Sequence, residues 1–127
     1  MTKGTVVFVY GTLLRGEPNH PLLAGSEFLG PAVTVPEFTL VDLGAFPGLI
    51  AGGDTAVQGE LFSVDKPTLA ALDQLEGHPR FYRRSPITLS DGQKVLGYVL
   101  PVQYLTRGDR IPGGDWRLYR RSFTEVR

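Results

Sequence analysis

Thr5–Tyr10 is an unbroken run of β-branched, aromatic and apolar residues with almost no polar relief. That pattern belongs to a strand buried on both faces, the place of a central strand in a sheet. Glycines at 11 and 16 and prolines at 18 and 21 break regular structure after it. Gly11–Pro21 therefore reads as a loop, with a short helical turn near Leu22-Leu23. Phe38–Leu43 and Val57–Val64 carry β-rich patterns, separated by turn signals at Pro47-Gly48 and Gly52-Gly53-Asp54. Asp65-Lys66-Pro67-Thr68 is a helix start, because Asp65 can cap free N–H groups and Pro67 already has a helical φ. Leu69, Leu72 and Leu75 give that helix an apolar face, and Gly77 is placed to end it. Tyr82–Leu89 and Lys94–Tyr104 then flank a hairpin turn at Ser90-Asp91-Gly92, and the tail from Gly108 is polar and turn-rich. The order is β, loop, β, β, helix, β, β. It predicts an α+β domain with an antiparallel or mixed sheet, open or closed into a small barrel, and one main helix with short flanking helical turns.

Composition narrows the class. The chain has 127 residues, which predicts a single domain over 1–127 able to bury a core without disulfide or metal staples. Sixteen Gly and ten Pro make about a fifth of the chain, above the roughly 12% of average usage, so turns are frequent. Lys plus Arg and Asp plus Glu both number 13, which leaves no net field for nucleic acid or an anionic membrane. The absence of Cys removes disulfides, thiolate metal sites and a Cys nucleophile. Met1-Thr-Lys-Gly-Thr5 runs directly into the first strand without a signal-type apolar core, and no apolar run approaches membrane-spanning length. The expected location is the cytoplasm.

Few residues carry candidate chemistry. His20 and His78 stand beside prolines with no third ligand at a standard spacing, so no metal is expected. Gly11–Gly16 has the spacing of a phosphate loop, but Glu17-Pro18 follow where Lys and Ser/Thr are needed. What remains is either an ordinary tight turn or a concavity of outward N–H groups at residues 11 to 14 that favours an anion. Glu76 falls between Leu69 and Leu72 on a helical wheel, so the pattern turns a carboxylate toward the core or its rim. Desolvation and the negative end of the helix dipole would both raise its pKa, as a general base or acid near neutral pH requires. Alternatively the last helical turn frays and Glu76 faces solvent or Arg80, Arg83 or Arg84. Tyr82 follows a short turn and could reach back to Glu76. The arginine groups at 80, 83, 84 and at 117, 120, 121 read as solvated faces; with Tyr98, Tyr104, Trp116 and Tyr119 they define a weaker single-strand-binding alternative.

Phe8–Gly16 with Asn19-His20, Phe46–Leu49, Gly59–Phe62, Leu72–Gly77, Phe81–Arg84 and Gly114–Trp116 together resemble the gamma-glutamyl cyclotransferase-like family, most closely its gamma-glutamylamine cyclotransferases and bacterial relatives. The resemblance spans about Val7 to Trp116. It implies a small mixed β-barrel flanked by helices, with a cavity at the barrel rim. It places Tyr10, Gly11, Thr12 and Leu13 in the substrate-binding loop and Glu76 as the catalytic glutamate; Tyr82, from its position after the helix, is counted with the substrate-binding residues. The implied activity is release of 5-oxoproline and a free amine from a γ-glutamyl amine or amide, by attack of the α-amine on its own γ-carbonyl. Glu76 would serve as base and then acid, with no metal or organic cofactor. The implied partner is a small-molecule γ-glutamyl substrate, with neither nucleic acid nor membrane; the oligomeric state is left open. The alternative of another class is a non-catalytic binding module for a γ-glutamyl or small carboxylate metabolite.

Overall fold

The computed structural model describes residues 4–125. The first strand, β1 (Thr5–Val9), is central, as its apolar run predicts: it pairs antiparallel with β5 (Gln58–Val64) and parallel with β7 (Lys94–Val99). Strand β2 (Glu27–Val33) lies outside β5 and β6 (Arg83–Thr88) outside β7, giving a five-stranded mixed sheet in the order β2-β5-β1-β7-β6. A second, antiparallel sheet holds β4 (Pro47–Ala51), β3 (Phe38–Asp42) and the two-residue β8 (Asp109–Arg110) in that order. The two outer strands of the large sheet approach each other only beyond their ends, at a Thr34–Leu89 bridge, where Ser90 N–H donates to the Val33 carbonyl at 2.8 Å. The sheet is thus drawn together at one end and is not a fully closed barrel.

Period-two alternation along β1 divides the core. Val7 and Val9 pack with Leu72, Tyr82 and Tyr98 beneath the first helix, whereas Phe8 and Tyr10 pack with Leu40, Ile87 and Trp116 on the other side. Helix α1 (Lys66–Glu76) starts where its cap predicts, the Asp65 carboxylate accepting from Thr68 N–H at 2.9 Å. It ends at Gly77, whose φ of 68° is the left-handed conformation that glycine adopts without strain. A 3-10 turn at His20–Leu23 occurs as expected.

Four expectations change. Strand β2 was not foreseen, because Glu27–Val33 is mostly exposed and contains Gly30 and Pro31, which weaken any strand pattern. Pro47-Gly48 is not a turn but opens β4. Strand β7 stops at Val99 instead of reaching Tyr104, since Pro101 intervenes and Val102–Thr106 form a 3-10 turn. The polar tail contains α2 (Trp116–Glu125), begun by Asp115, whose carboxylate accepts from Leu118 N–H at 3.1 Å. Its anchors are few: Trp116 is buried, and its ring stacks with that of Tyr119. Burial of Trp116 and Tyr98 leaves neither ring free as a base-stacking platform.

One buried carboxylate ties these parts together. Glu60, on β5, is 1% exposed; its Oε1 accepts from Arg15 N–H at 2.9 Å, and its Oε2 from Arg15 Nε and Arg117 Nη2, both at 3.2 Å. Arg117 also donates to the Arg15 carbonyl at 2.8 Å, so α2 is tied to the loop after β1. The side chains of Arg15 and Arg117 are 52% and 38% exposed, which screens the pairs and allows both cations to rehydrate if Glu60 is lost. Glu60→Ala is expected to destabilise the fold by about 1–3 kcal/mol, from the unpaired Arg15 N–H and the vacated volume. Urea denaturation measures this, and an unchanged midpoint contradicts the role given to Glu60.

Candidate active site

Strand β1 runs into a cavity of about 200 Å³ between its own C-terminal end, the end of α1 and the start of β4. Of the residues expected at the site, Tyr10, Gly11, Thr12, Leu13, Glu76 and Tyr82 all line this one cavity. Asn19, Phe46, Pro47, Leu75, Phe81 and Tyr98 also line it and were not singled out as site residues, although most lie in motif segments that carried the resemblance. No Lys, Arg or His is among the lining residues, and Glu76 is the only carboxylate.

The loop after β1 is built to expose donors. Among the described residues, the N–H groups of Gly11, Thr12 and Leu13 donate to no protein acceptor, whereas Leu14 N–H is taken by the Gly11 carbonyl at 3.1 Å. The run of free donors is therefore 11 to 13, one shorter than the sequence predicts. Asn19 holds the loop, its N–H donating to the Thr12 carbonyl at 2.8 Å and its Nδ2 to Thr12 Oγ1 at 2.9 Å. Gly11 is not needed for a left-handed turn, since it is not among the glycines with positive φ. It is needed for proximity: a Cβ at this position would lie 2.7 Å from two ring carbons of Pro47, a side chain that cannot swing aside.

Two tyrosines fix that contact. The Tyr10 hydroxyl donates to the Tyr98 carbonyl at 2.7 Å and accepts from Leu49 N–H at 3.2 Å. The Tyr82 hydroxyl donates to the Pro47 carbonyl at 2.5 Å. Burial pushes both phenols well above their ordinary pKa; for Tyr82 the Glu76 charge adds to this, and for Tyr10 the neighbouring Tyr82 and then Glu76 do so. Both hydroxyls keep their protons, already committed to backbone carbonyls, and so serve as walls and pins. The Tyr82 hydroxyl is thus spent on Pro47 and not on the Glu76 carboxylate; its backbone N–H donates to the Glu76 carbonyl at 3.1 Å.

Glu76 stays in the helix instead of fraying outward. It is half-buried, and among the described residues its carboxylate forms no salt bridge and accepts no hydrogen bond. Arg84, one of the arginines it could have met, pairs with Asp73, one turn earlier on α1. Asp73 also accepts from the Tyr98 hydroxyl at 2.7 Å, so the last turn of α1 is fastened to β6 and β7 beside Glu76. Removed from water without a compensating cation, the Glu76 carboxyl is pushed up from 4.5 to about 7 by desolvation. The face expected to be inward is only partly so: Leu72 is fully buried, but Leu75 is 42% exposed, because the final turn overhangs the cavity and not the core.

Among the described residues no group of three or more His, Cys, Asp or Glu side chains comes together to hold a metal ion. No helix among them is long and apolar enough to cross a membrane. The arrangement joins a row of neutral backbone donors to one carboxylate poised to take or give a proton near pH 7.

Residues 7–118 match the family described as Gamma-glutamyl cyclotransferase, AIG2-like. The chain is 45% identical over 111 residues to a Vibrio cholerae protein named "Putative gamma-glutamylcyclotransferase", covering 87% of this chain and 94% of that protein. It is 35% identical over 119 residues to the human gamma-glutamylaminecyclotransferase, covering 87% of this chain and 68% of the human one. The crystal structure of an AIG2-like protein from Mus musculus superposes with a TM-score of 0.73 at 31% identity, covering 85% of this chain and 83% of the mouse chain. The chain belongs to the gamma-glutamyl cyclotransferase, AIG2-like family.

Proposed function

We propose that the protein is a cyclotransferase that converts a γ-glutamyl amine or amide into 5-oxoproline and the free amine, with Glu76 as general base and then acid. The observation that carries this reading is the meeting, in one cavity, of a carboxyl pushed up to about 7 and the unused N–H groups of Gly11, Thr12 and Leu13. The family membership supports the same chemistry.

The mechanism follows from what the substrate lacks. Its α-nitrogen is an ammonium ion, without a lone pair until a proton leaves. Ionised Glu76 takes that proton, and the amine then attacks the γ-carbonyl carbon, forming the lactam C–N bond and a tetrahedral oxyanion. The backbone donors of the loop are the groups available to stabilise that oxyanion or the substrate carboxylate without a charged side chain. Collapse of the intermediate breaks the original γ-C–N bond, and Glu76 returns a proton to the departing nitrogen. Of the three ammonium protons, one stays on the lactam nitrogen. The other two are balanced by protonation of the leaving amine to its ammonium form, one through Glu76 and one through water. Because nucleophile and electrophile belong to one molecule, holding the glutamyl chain in a folded conformer supplies much of the rate.

The test is a panel of γ-glutamyl amines, γ-glutamyl amino acids and glutathione, assayed for 5-oxoproline with the purified protein. Turnover of at least one member is expected, and no product from any overturns the proposal. Ligand-dependent thermal stabilisation without product would instead favour the binding-module alternative. Glu76→Gln keeps the shape but cannot accept the ammonium proton, so kcat is expected to fall by about 10²-fold or more. The base must be ionised, so kcat/KM is expected to rise with pH through about 7. A rising limb near 4.5, or unchanged turnover by Glu76→Gln, would move the base elsewhere.

A further inference from the structure

The cavity is not uniform in depth or chemistry. Its inner wall is the buried Tyr10, Gly11 and Leu13 of the β1 end, where the free N–H groups are. Its outer part is lined on one side by Phe46 and Phe81, both half-buried, and by Leu75, 42% exposed; Thr12, Asn19 and Glu76, also half-buried, are the polar lining residues there. Phe46 and Phe81 meet edge to face at 6.1 Å between centroids, and Phe81 meets Tyr104 in the same manner at 5.6 Å. These are large apolar surfaces left partly in water by a fold that buries most of its other aromatic side chains. No charged side chain other than Glu76 lines the cavity; the nearby cation Arg107 is held over the Tyr104 ring and is not part of the lining.

We propose that Phe46, Leu75 and Phe81 form a subsite for the leaving amine, and that it selects γ-glutamyl amides of apolar or aromatic amines over those whose amine portion carries a carboxylate close to its nitrogen. The inference rests on the cyclotransferase reading. The glutamyl part is constant and polar, and it needs the donors of the inner wall. The amine part, bonded to the γ-carbon, must then leave toward the mouth, where Phe46, Leu75 and Phe81 offer an apolar side. An aromatic or branched apolar group placed there removes its own surface and that of the two phenylalanines from water. A carboxylate in the same position would lose hydration, meet no Lys, Arg or His among the lining residues, and face the like charge of Glu76. The rim thus discriminates by the cost of desolvation as well as by contact, and neither effect requires a change in the glutamyl site.

Steady-state kinetics on four synthetic substrates tests this: the γ-glutamyl derivatives of phenethylamine, ethylamine, glycine and β-alanine. The phenethylamide is expected to have the highest kcat/KM, at least about tenfold above the ethylamide and above both charged compounds. Phe81→Ala and Phe46→Ala are each expected to lower the phenethylamide-to-ethylamide ratio by about five- to tenfold, chiefly through KM for the phenethylamide. That ratio does not depend on how much of a variant is folded, and comparing it with wild type cancels the intrinsic reactivity of the two amides. Phe81→Leu, which keeps an apolar surface, retains most of the preference. The inference is overturned if the ethylamide or a charged substrate is turned over as well as the phenethylamide, or if the ratio survives both alanine substitutions. Turnover without apolar preference overturns this inference alone, whereas no 5-oxoproline from any of the four removes the cyclotransferase reading and this inference with it.

Discussion

The end of the central strand has to meet the start of β4 at bare backbone distance, and the site is organised around that contact. Gly11 sits against the Pro47 ring where no Cβ fits. The Tyr10 hydroxyl bonds to Leu49 N–H and the Tyr82 hydroxyl to the Pro47 carbonyl, so two phenols from the large sheet and its margin pin one short strand of the small sheet. Once this junction is set, the loop at residues 11 to 13 has no strand to pair with, and its N–H groups are left as donors. From the far side, Glu60 with Arg15 and Arg117 keeps the same loop from lifting.

The second wall is held in a different way, and at a cost. The Asp73 contacts with Tyr98 and Arg84 fix the last turn of α1, and Gly77 ends it before Glu76 can be carried out to solvent. The carboxyl is thereby kept short of water and of cations. Its proton is bound more tightly in the folded chain than in the unfolded one, so the contribution of Glu76 to stability is greatest below about 4.5 and is lost as pH rises through about 7. By pKa arithmetic the loss is at most about 3 kcal/mol, and less in so far as the half-buried group retains water. With no cationic side chain in the lining, desolvation alone sets the raised pKa of the Glu76 carboxyl.

Much of this was legible in the sequence where a local rule had no competitor. The apolar run at Thr5–Tyr10 reads as a central strand and is one, and Asp65, Pro67 and Gly77 bounded α1 correctly. Position on the wheel turned Glu76 inward, and the resemblance at Tyr10–Leu13 placed the loop beside it. The failures share a cause. Strand β2 and helix α2 are held by tertiary contacts, β2 by its ladder to β5 and α2 by Trp116 and Arg117, while their own patterns are exposed and polar. Pro47 reads as a turn residue because its role, packing against Gly11, is fixed by a segment far away in sequence. Glu60 is one more surface-type residue until the fold puts Arg15 and Arg117 around it. Phe46 and Phe81 look like core positions, and only the cavity reveals their half-open faces.

The central claim is that the fold makes Glu76 a base near neutrality by withholding water from it. Carbon-detected NMR titration of its side-chain carboxyl, assigned by comparison with Glu76→Gln, measures this directly. A midpoint near 7 is expected in the free protein. A midpoint at the ordinary 4.5 would contradict it, whatever the rate of turnover.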